Sequence, residues 1–555
     1  MKAERKKAVI IIASFVILAI IVVFIALLLF DINSFKSRIE TDASRMTGLD
    51  VKINGKVSLS FFPFGLSAKD MRFANKEGEI LSLEHIKLGT ELIPLLKKQL
   101  RVTNCDLVRP TITIIKDVSG KYNFENTTKK STKGWAANVL SFKEIKVSKG
   151  TLVYHDKTTD EKTELKDINL VIKDLSIGDT TGDIIKNASF TGTMECKEIL
   201  QKNFSVGSLT SSVTAVKGLY NFHSLIIKSF VYHDKTTDEK TELKDINLVI
   251  KDLSIGDTTG DIIKNASFTG TMECVELRKK DLQIDNIKSG IKAEKGVLYL
   301  KPLTIDIFGA KGEGDVEADR TEADSVYTIN LSVTKLDLDK LQDSFAVERL
   351  IGGKGDLVAS LQVKEKEGQG LIKGMNGTLS LRGDNLITYT MDLDAILSTY
   401  EASQTFSLID VGAFFIAGPL GSAALKGYRY GDVYYQTRGG RGTITQFVSQ
   451  WKVKDGVAEA TDCALATRGH RVALKGKLNL VTERYDNVIV ALLDGKGCTQ
   501  LKQGITGSFS APQVGVVSAM ESLADPILHL YRKAKRFVQG GKCEVFYNGA
   551  VKQPR

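Results

Sequence analysis

Apolar and polar residues alternate along much of this chain. Between Tyr327 and Val333, and again between Val472 and Leu480, apolar side chains recur at every second position, with Gly476 in step. This period is that of a β-strand, and strict alternation gives a sheet one apolar face and one that faces water. Helical patterns are confined to residues 31–46, 391–400 and 518–538, without a βαβ rhythm. We therefore predict a mainly β fold with a few short helices.

The N-terminus departs from this pattern. Residues 8–30 form a run of 23 residues without a charge, which at about 1.5 Å per residue crosses a hydrocarbon core of about 30 Å. A secretory signal peptide is the alternative, but its apolar stretch is shorter and ends in a small-residue cleavage site. Here the run ends in Leu-Leu-Leu-Phe-Asp. Because four basic residues precede it, we predict a retained single-pass anchor with a cytoplasmic N-terminus and an exported body.

The charge and the motifs exclude several function classes. The formal net charge of +10 is spread over 555 residues without a dense basic block, so we expect no nucleic-acid partner. No nucleophile elbow, zinc-protease helix, Walker-type loop or Cys-x-x-Cys pair occurs. His155-Asp156 and His233-Asp234 could be general-base or metal pairs, but turn-like residues follow both, which favours solvated strand ends. We predict no enzyme activity, catalytic residue, metal or cofactor.

The chain also repeats itself. Residues 153–196 recur without a change at 231–274, an offset of 78, and residues 197–230 align more weakly with 275–308. We interpret this as an in-frame duplication within an older repeat, and an error in sequence assembly is the alternative. An open-ended stack of strands tolerates such an insertion, whereas a closed barrel or globular core hardly does.

Short motifs behind the anchor resemble the AsmA family of envelope proteins in Gram-negative bacteria. They are TGLDVKINGKV at residues 47–57, Phe62-Pro63, LSAKDMRFAN at 66–75, GKYNF at 120–124, GTLVY at 150–154, KGEGD at 311–315, GKGDL at 353–357, MNGTL at 375–379 and DLD at 392–394. The second duplicate departs from the pattern, with KSFVY at 228–232 in place of GTLVY. The resemblance implies an inner-membrane anchor, a periplasmic body shaped as a long, curled β-sheet groove, and a role in moving or balancing lipids for the outer membrane.

The residues allow such a groove, since a curled sheet covers its apolar face only partly and can offer the rest to acyl chains. We predict an elongated, curled antiparallel sheet in four segments: 1–30 as tail and anchor, 31–125 and 351–555 as AsmA-like β regions, and 126–350 as a repeated region with units 153–230 and 231–308. Residues 126–134 read as a surface loop or linker. The candidate lining is Val57, Leu59, Leu303, Ile305, Ile307, Tyr327, Ile329, Leu331, Val333, Val472, Leu474, Leu478 and Leu480.

The six cysteines suit an oxidising compartment. Cys498 and Cys543 bracket the C-terminal helical pattern, and a bridge between them would stabilise the fold by roughly 3–4 kcal/mol in the chain-entropy model. Cys196 and Cys274 occupy duplicate positions, and we expect them to be buried and unpaired.

Two functions remain open at this point. The first is a groove that holds or conducts phospholipid or another acyl lipid between the inner membrane and the outer envelope. The second is a non-enzymatic scaffold that assists outer-membrane protein assembly and has no lipid pathway. In either case outer-membrane or other envelope proteins are candidate partners.

Overall fold

The computed structural model describes residues 31–61, 64–91, 102–124, 140–177, 187–217, 219–235, 238–255, 262–280, 282–344, 349–366, 370–389, 392–403, 411–412, 415, 440–515, 518–519 and 545–554. The chain divides into two compact units, Met1–Tyr232 and His233–Arg555. In the described part no helix is long and apolar enough to cross a bilayer. The predicted anchor at 8–30 lies outside the described residues.

The first unit opens with a 3₁₀ turn, Ile32–Phe35, and helix α1, Lys36–Thr47. Gly48 ends α1 in the left-handed region, at a φ of 72°, where glycine has no Cβ to clash. The strands that follow are β1 Asp50–Ile53, β2 Val57–Phe61, β3 Phe64–Asn75, β4 Gly78–Thr90, β5 Val102–Val108, β6 Thr111–Lys116, β7 Leu140–Asp156, β8 Glu161–Ile177, β9 Ala188–Cys196, β10 Glu198–Gln201, β11 Phe204–Val206, β12 Leu209–Val216 and β13 Leu219–Asp234.

Neighbouring strands of this unit pair in an antiparallel sense with one exception. β5 and β6 both pair with β7 in parallel, for example Cys105 with Ile145 and Ile112 with Leu152. The prediction of a purely antiparallel sheet was wrong here. Residues 117–139 form a connection long enough for the chain to return to the end at which β6 begins, so that β7 can run parallel to it. A tight turn would have made the next strand antiparallel.

The second unit contains β14 Glu239–Ile255, β15 Ala266–Lys279, β16 Leu282–Glu294, β17 Val297–Ile307, β18 Ala310–Asp319, β19 Ser325–Asp337, β20 Ile351–Gly352, β21 Lys354–Glu365, β22 Met375–Thr388, β23 Gly442–Lys454, β24 Val457–Ala466, β25 Arg471–Asn479, β26 Arg484–Leu493, β27 Thr499–Ser508, β28 Pro512–Val514 and β29 Ser518–Ala519. Its helices are α2 Ile262–Asn265, α3 Leu338–Asp343 and α4 Leu393–Ser403, with a 3₁₀ turn at Ile372–Gly374. The described pairings from β14 to β29 are antiparallel.

The mainly β fold and two of the three helical patterns are confirmed. α1 follows the pattern at 31–46, and α4 that at 391–400. The third pattern, at 518–538, lies almost entirely outside the described residues, and its first two residues form β29, which pairs with β27.

The duplicated segments have the same internal geometry. Leu170 pairs with Met194 in the first copy, and Leu248 pairs with Met272, 78 residues on, in the second. The diverged halves keep this register too, since Ser211 pairs with Leu225 and Ser289 with Leu303. Because the side-chain period is two, a shift by one residue would have turned each apolar set to the opposite face. The repeat therefore extends over four strands rather than over the identical segment alone.

Candidate functional site

Apolar residues line up across the strands of the first unit. Residues that pair directly across two strands share one face of the sheet. One such row runs from β2 to β13 through Leu59, Leu66, Leu88, Cys105, Ile145, Ile172, Gly192, Val213 and Phe222. Apart from Gly192, which is buried, these residues are half-buried. The apolar face is therefore continuous along the unit, and solvent still reaches it.

The second unit has rows of the same kind. One consists of Leu248, Met272, Ser289, Leu303, Gly314, Leu331, Ala359, Leu379 and Trp451, and its neighbour of Ile250, Gly270, Ile291, Leu300, Val316, Ile329, Leu361, Gly377 and Val453. From β14 to β19 these side chains are half-buried except Ser289, whereas Trp451 at the far end is fully buried. We call the half-buried part of each unit's rows its open face.

The opposite side of the same strands is polar. Lys288 forms an ion pair with Glu273 at 3.2 Å across β15 and β16. Asn330 donates to Asp315 at 3.2 Å and accepts from the hydroxyl of Ser360 at 2.7 Å, which links three strands. These groups can remain in water, so the polar face needs no covering layer, and the burial of apolar area has to come from the other side.

The described helices pack away from the middle of the open faces. α1 packs on β1, α3 at β19 and β20, and α4 at β23. At β19 the cover is tight, since Leu336, Leu338 and Leu341 are all buried. Among the described residues, no helix packs on the apolar rows between β8 and β18 as extensively as α1, α3 and α4 pack on their own strands.

The sheet at β23, β25 and β26 is covered instead. Phe415 is fully buried and stacks on Phe447 with ring centroids 5.7 Å apart. Its carbonyl accepts a hydrogen bond of 2.6 Å from Ser449, which in turn accepts one of 2.8 Å from the indole of Trp451. A Cβ added at Gly412 would lie 2.8 Å from Val490, so this segment lies directly on the sheet.

Asp394 fastens the start of α4 to the turn between β24 and β25. Its carboxylate accepts hydrogen bonds from the hydroxyl of Thr467, from Nδ1 of His470 at 3.1 Å and from the backbone N–H groups of Arg468 and Gly469. Partial burial alone raises the pKa of Asp394, but these hydrogen bonds outweigh it and hold the pKa below its ordinary value. The cover over β23, β25 and β26 is thus attached by a charged contact as well as by packing.

The predicted lining residues fall into three groups. Leu59, Leu303, Tyr327, Ile329 and Leu331 are half-buried and belong to the apolar face. Val57, Ile305, Ile307 and Val333 share that face but are buried at 9% exposure or less, and Val472, Leu474, Leu478 and Leu480 are buried at 5% or less.

The buried lining residues are covered by different parts of the chain. Val57 lies in a core on which Ile39 and Ala43 of α1 pack. Ile305 and Val333 close over Gly312, where an added Cβ would lie 2.9 Å and 3.2 Å from them. Leu474 lies in the strands covered by the segment around Phe415. These positions offer little surface to a ligand, and we leave them out of the site proposed below.

The sequence reasoning missed open-face residues in the duplicated segment. Ala188, Phe190, Gly192, Met194 and Cys196 alternate with exposed polar residues on β9, and their copies do so on β15. Phe190 and Met194 are half-buried on the apolar face. The alternation is visible in the sequence ASFTGTMEC of residues 188–196.

A sequence profile of the AsmA family matches residues 1–240 and 271–462. The chain belongs to the AsmA family. Neither the search of curated proteins nor that of solved structures found a match. The match leaves out residues 241–270, which lie within the second identical copy at 231–274, and residues 463–555.

The paired histidines of this AsmA-family protein lie at strand ends. His155 Nε2 is 3.2 Å from Asp160, and His233 Nε2 is 2.6 Å from Asp238, each across the turn that follows its strand. Both aspartates are over 90% exposed. Within the described residues no group of three or more His, Cys, Asp or Glu side chains could hold a metal ion. Both histidines lie at strand ends as interpreted, but Asp156 is buried and forms an ion pair with Lys116 at 3.0 Å, so that aspartate is not solvated.

The cysteines differ in their surroundings. Cys196 and Cys274 are buried and free, as expected, and each lies against the backbone carbonyl 30 residues before it. Cys105 stands in the open-face row, and burial raises the pKa of its thiol to about 11. Cys498 is disulfide-bonded and bridges to Val545 through the backbone. Cys543 lies outside the described residues, so its pairing with Cys498 stays a prediction.

Proposed function

We propose that this protein holds or conducts lipids along the apolar face of its sheet and thereby supports lipid homeostasis and biogenesis of the outer membrane. In this proposal residues 8–30 anchor it in the inner membrane, the body lies in the periplasm, and no chemical reaction or cofactor is involved. Family membership and the extent of the β-sheet agree with lipid binding or transport as the general role.

One observation carries the proposal. The cross-strand rows are apolar over many strands, yet their side chains are only half-buried from β14 to β19. Leaving apolar area in water costs about 25 cal/mol per Å², so a face of this length is expected to have an occupant. Acyl chains fit it because they need no hydrogen-bonding partner and slide along a surface without specific contacts.

Adjacent residues on one strand provide the test. A photo-crosslinking phenylalanine analogue is placed in the full-length chain at Leu331, on the open face, or at Ser332, which is exposed on the polar face of the same strand. After irradiation of cells, adducts are identified by mass spectrometry of the purified protein. We expect phospholipid adducts at Leu331 and at least about fivefold fewer at Ser332, because the two side chains point to opposite sides.

The same experiment separates the alternative function. Protein adducts at Leu331 without lipid would favour the scaffold that assists outer-membrane protein assembly. A second pair in the first unit, Ile172 on the open face and Lys173 exposed beside it, repeats the comparison in independent surroundings. Equal lipid labelling within both pairs would contradict a lipid path on one face.

A further inference from the structure

Strands β1 and β2 lie at one edge of the sheet. Both pair with β3, and in the described part of the chain neither pairs with any other strand. Alternate N–H groups of a strand point to its two sides, and those of Val51 and Ile53 point away from β3. An edge with unpaired N–H and C=O groups is a template to which another chain can add a strand.

Side chains of α1 take the place of the missing strand. Ser44 Oγ accepts a hydrogen bond of 2.9 Å from the N–H of Val51, and Glu40 Oε1 accepts one of 2.7 Å from the N–H of Ile53. Four residues of a helix span about 6 Å and two residues of a strand about 6.6 Å. The spacing of the two acceptors on α1 therefore matches that of the two donors on β1.

The same helix lies over the apolar side of this edge. Ile39 and Ala43 of α1 pack on a core that contains Val51 and Ile53, which are 1% and 2% exposed. A strand that joins a sheet lies about 4.8 Å from its neighbour, and the side chains of α1 already occupy that position beside β1. The helix therefore blocks this edge by its volume as well as by its hydrogen bonds.

Without this block, β1 could pair with a second copy of itself. In an antiparallel pair of two β1 strands centred on Lys52, Val51 of each chain faces Ile53 of the other. The outward N–H and C=O groups of these residues can then form four hydrogen bonds across a two-fold axis. Lys52 lies opposite its own copy in this pair, and the two like charges there weaken the contact.

We propose that α1 is an edge cap, which uses Glu40 and Ser44 to keep a second copy of this chain from adding its β1 to the sheet. Because every copy presents the same self-complementary edge, a second copy needs no further partner to form the pair. This role is independent of the lipid path, since it concerns the backbone edge of the sheet and not its open face.

Hydrogen exchange tests the contact between α1 and β1. In dilute full-length protein in detergent, Glu40→Ala with Ser44→Ala should speed exchange of the amides of residues 50–53 by about tenfold or more, because each loses its hydrogen-bond acceptor. The matched control is Arg38→Ala with Arg45→Ala, whose side chains on the same helix are 79% and 74% exposed. It should exchange like the unsubstituted protein. Unchanged exchange in the first variant would overturn the proposal.

A cysteine at position 52 reports the second copy. In the two-fold pair both copies of residue 52 lie opposite each other, with Cβ atoms about 4.5 Å apart, and Lys52→Cys also removes the like charges. After oxidation with diamide, Lys52→Cys added to Glu40→Ala with Ser44→Ala should give at least about fivefold more dimer linked through residue 52 than Lys52→Cys alone. The register control, Asp50→Cys with Lys52→Ser in the same background, should not link, because residue 50 faces residue 54.

The two measurements separate the parts of the proposal. Faster exchange without a dimer linked at residue 52 would mean that no second copy uses the uncovered edge, and would overturn the edge cap. Equal linkage in Lys52→Cys alone would mean that α1 does not block the edge, with the same consequence. If the double variant does not fold, Ser44→Ala removes one acceptor and keeps Glu40, and should speed exchange by about threefold and raise linkage at residue 52 in the same direction.

Discussion

β19 and β25 carry the same pattern of alternating apolar residues and differ in what lies on it. On β19, Tyr327, Ile329 and Leu331 are half-buried, whereas on β25 Val472 and Leu474 have 1% exposure or less. Both strands belong to one antiparallel series of one unit. The difference comes from residues distant in sequence, because the segment around Phe415 and helix α4 cover β23, β25 and β26.

This contrast shows what alternation can and cannot say. The alternation of apolar and polar residues determines which side chains share a face of the sheet. The register of β19 and β25 confirms this assignment for both strands. Whether that face is a core or a binding surface depends on the presence of a second layer, which the strand itself does not encode. An apolar strand is therefore evidence for a lipid surface only together with the half-exposure observed on β19.

The largest expected effect comes from one substitution made on both strands. Leu474→Asp places a carboxylate in a dry core without a partner and should destabilise the covered strands by about 4 kcal/mol or more. Leu331→Asp leaves its carboxylate within reach of water and should cost about 1–2 kcal/mol while abolishing lipid adducts on the neighbouring open face. The stability of both variants is measured by the fluorescence of the buried Trp451 during thermal unfolding. The substitution Trp135→Phe is included in each protein, so that Trp451 is the remaining tryptophan of the sequence.

Similar melting shifts for the two variants would refute the comparison. If Leu331→Asp unfolded the protein as Leu474→Asp is expected to, β19 would lie in a closed core, and the lipid path would lose its main support. If Leu331→Asp kept both the fold and the lipid adducts, the open face would not be the path.

An intermediate effect is expected where the cover is attached. Asp394→Asn removes the charge that accepts hydrogen bonds from Thr467, His470 and two backbone N–H groups, and should lower stability at pH 7 by roughly 1–3 kcal/mol. Because the folded-state pKa of Asp394 is depressed, its contribution is complete above the unfolded value of 3.8 and is lost as pH falls through the lower, folded one.

Trp451 melting curves at pH 7 and pH 3 check this. The control, Asp384→Asn, changes an exposed carboxylate on β22 and should shift the free energy of unfolding by no more than about 0.5 kcal/mol. The difference between Asp394→Asn and the unsubstituted protein should shrink at the lower pH. A constant difference at both pH values would assign the role to packing and not to charge.

Deleting one repeat is the largest of these changes in sequence, but it should have the smallest effect on the stability of the covered strands. Deleting residues 153–230 joins Leu152 to Val231, and the second copy then supplies the same residues in the same register. We expect a folded protein whose Trp451 transition moves by less than about 1 kcal/mol and whose open face lacks β8 to β12 and most of β13. Aggregation of this variant, or loss of the Trp451 transition, would mean that the repeat is not an independent extension.

Much of the fold was accessible from local sequence. The β class, α1, α4 and the equivalence of the two repeats followed from periodicity and self-comparison, because these depend on residues within one or two turns or strands. The parallel pairing of β5 and β6 with β7 did not, since alternation is the same whichever way a neighbour runs. Only the length of the segment between Lys116 and Leu140 permitted it.

The site was predicted less completely than the fold. Leu303, Ile329 and Leu331 belong to the open face as expected, while Ile305 and Leu474 are buried for reasons that lie elsewhere in the chain: Gly312 beside the first and Gly412 above the second. Such contacts join residues that no pattern within a single strand connects.

The contacts of residues 545–554 have a consequence for the order of folding. Most strands pair with the one made just before, so the sheet can grow as the chain emerges. Tyr547, however, donates to Asp462 at 2.6 Å, and Val551 packs with Ala464 and Ala473 on the back of β24 and β25. Those strands therefore lack part of their packing until residues 545–554 have been made, and a polypeptide that stops before them presents an apolar surface to chaperones and proteases.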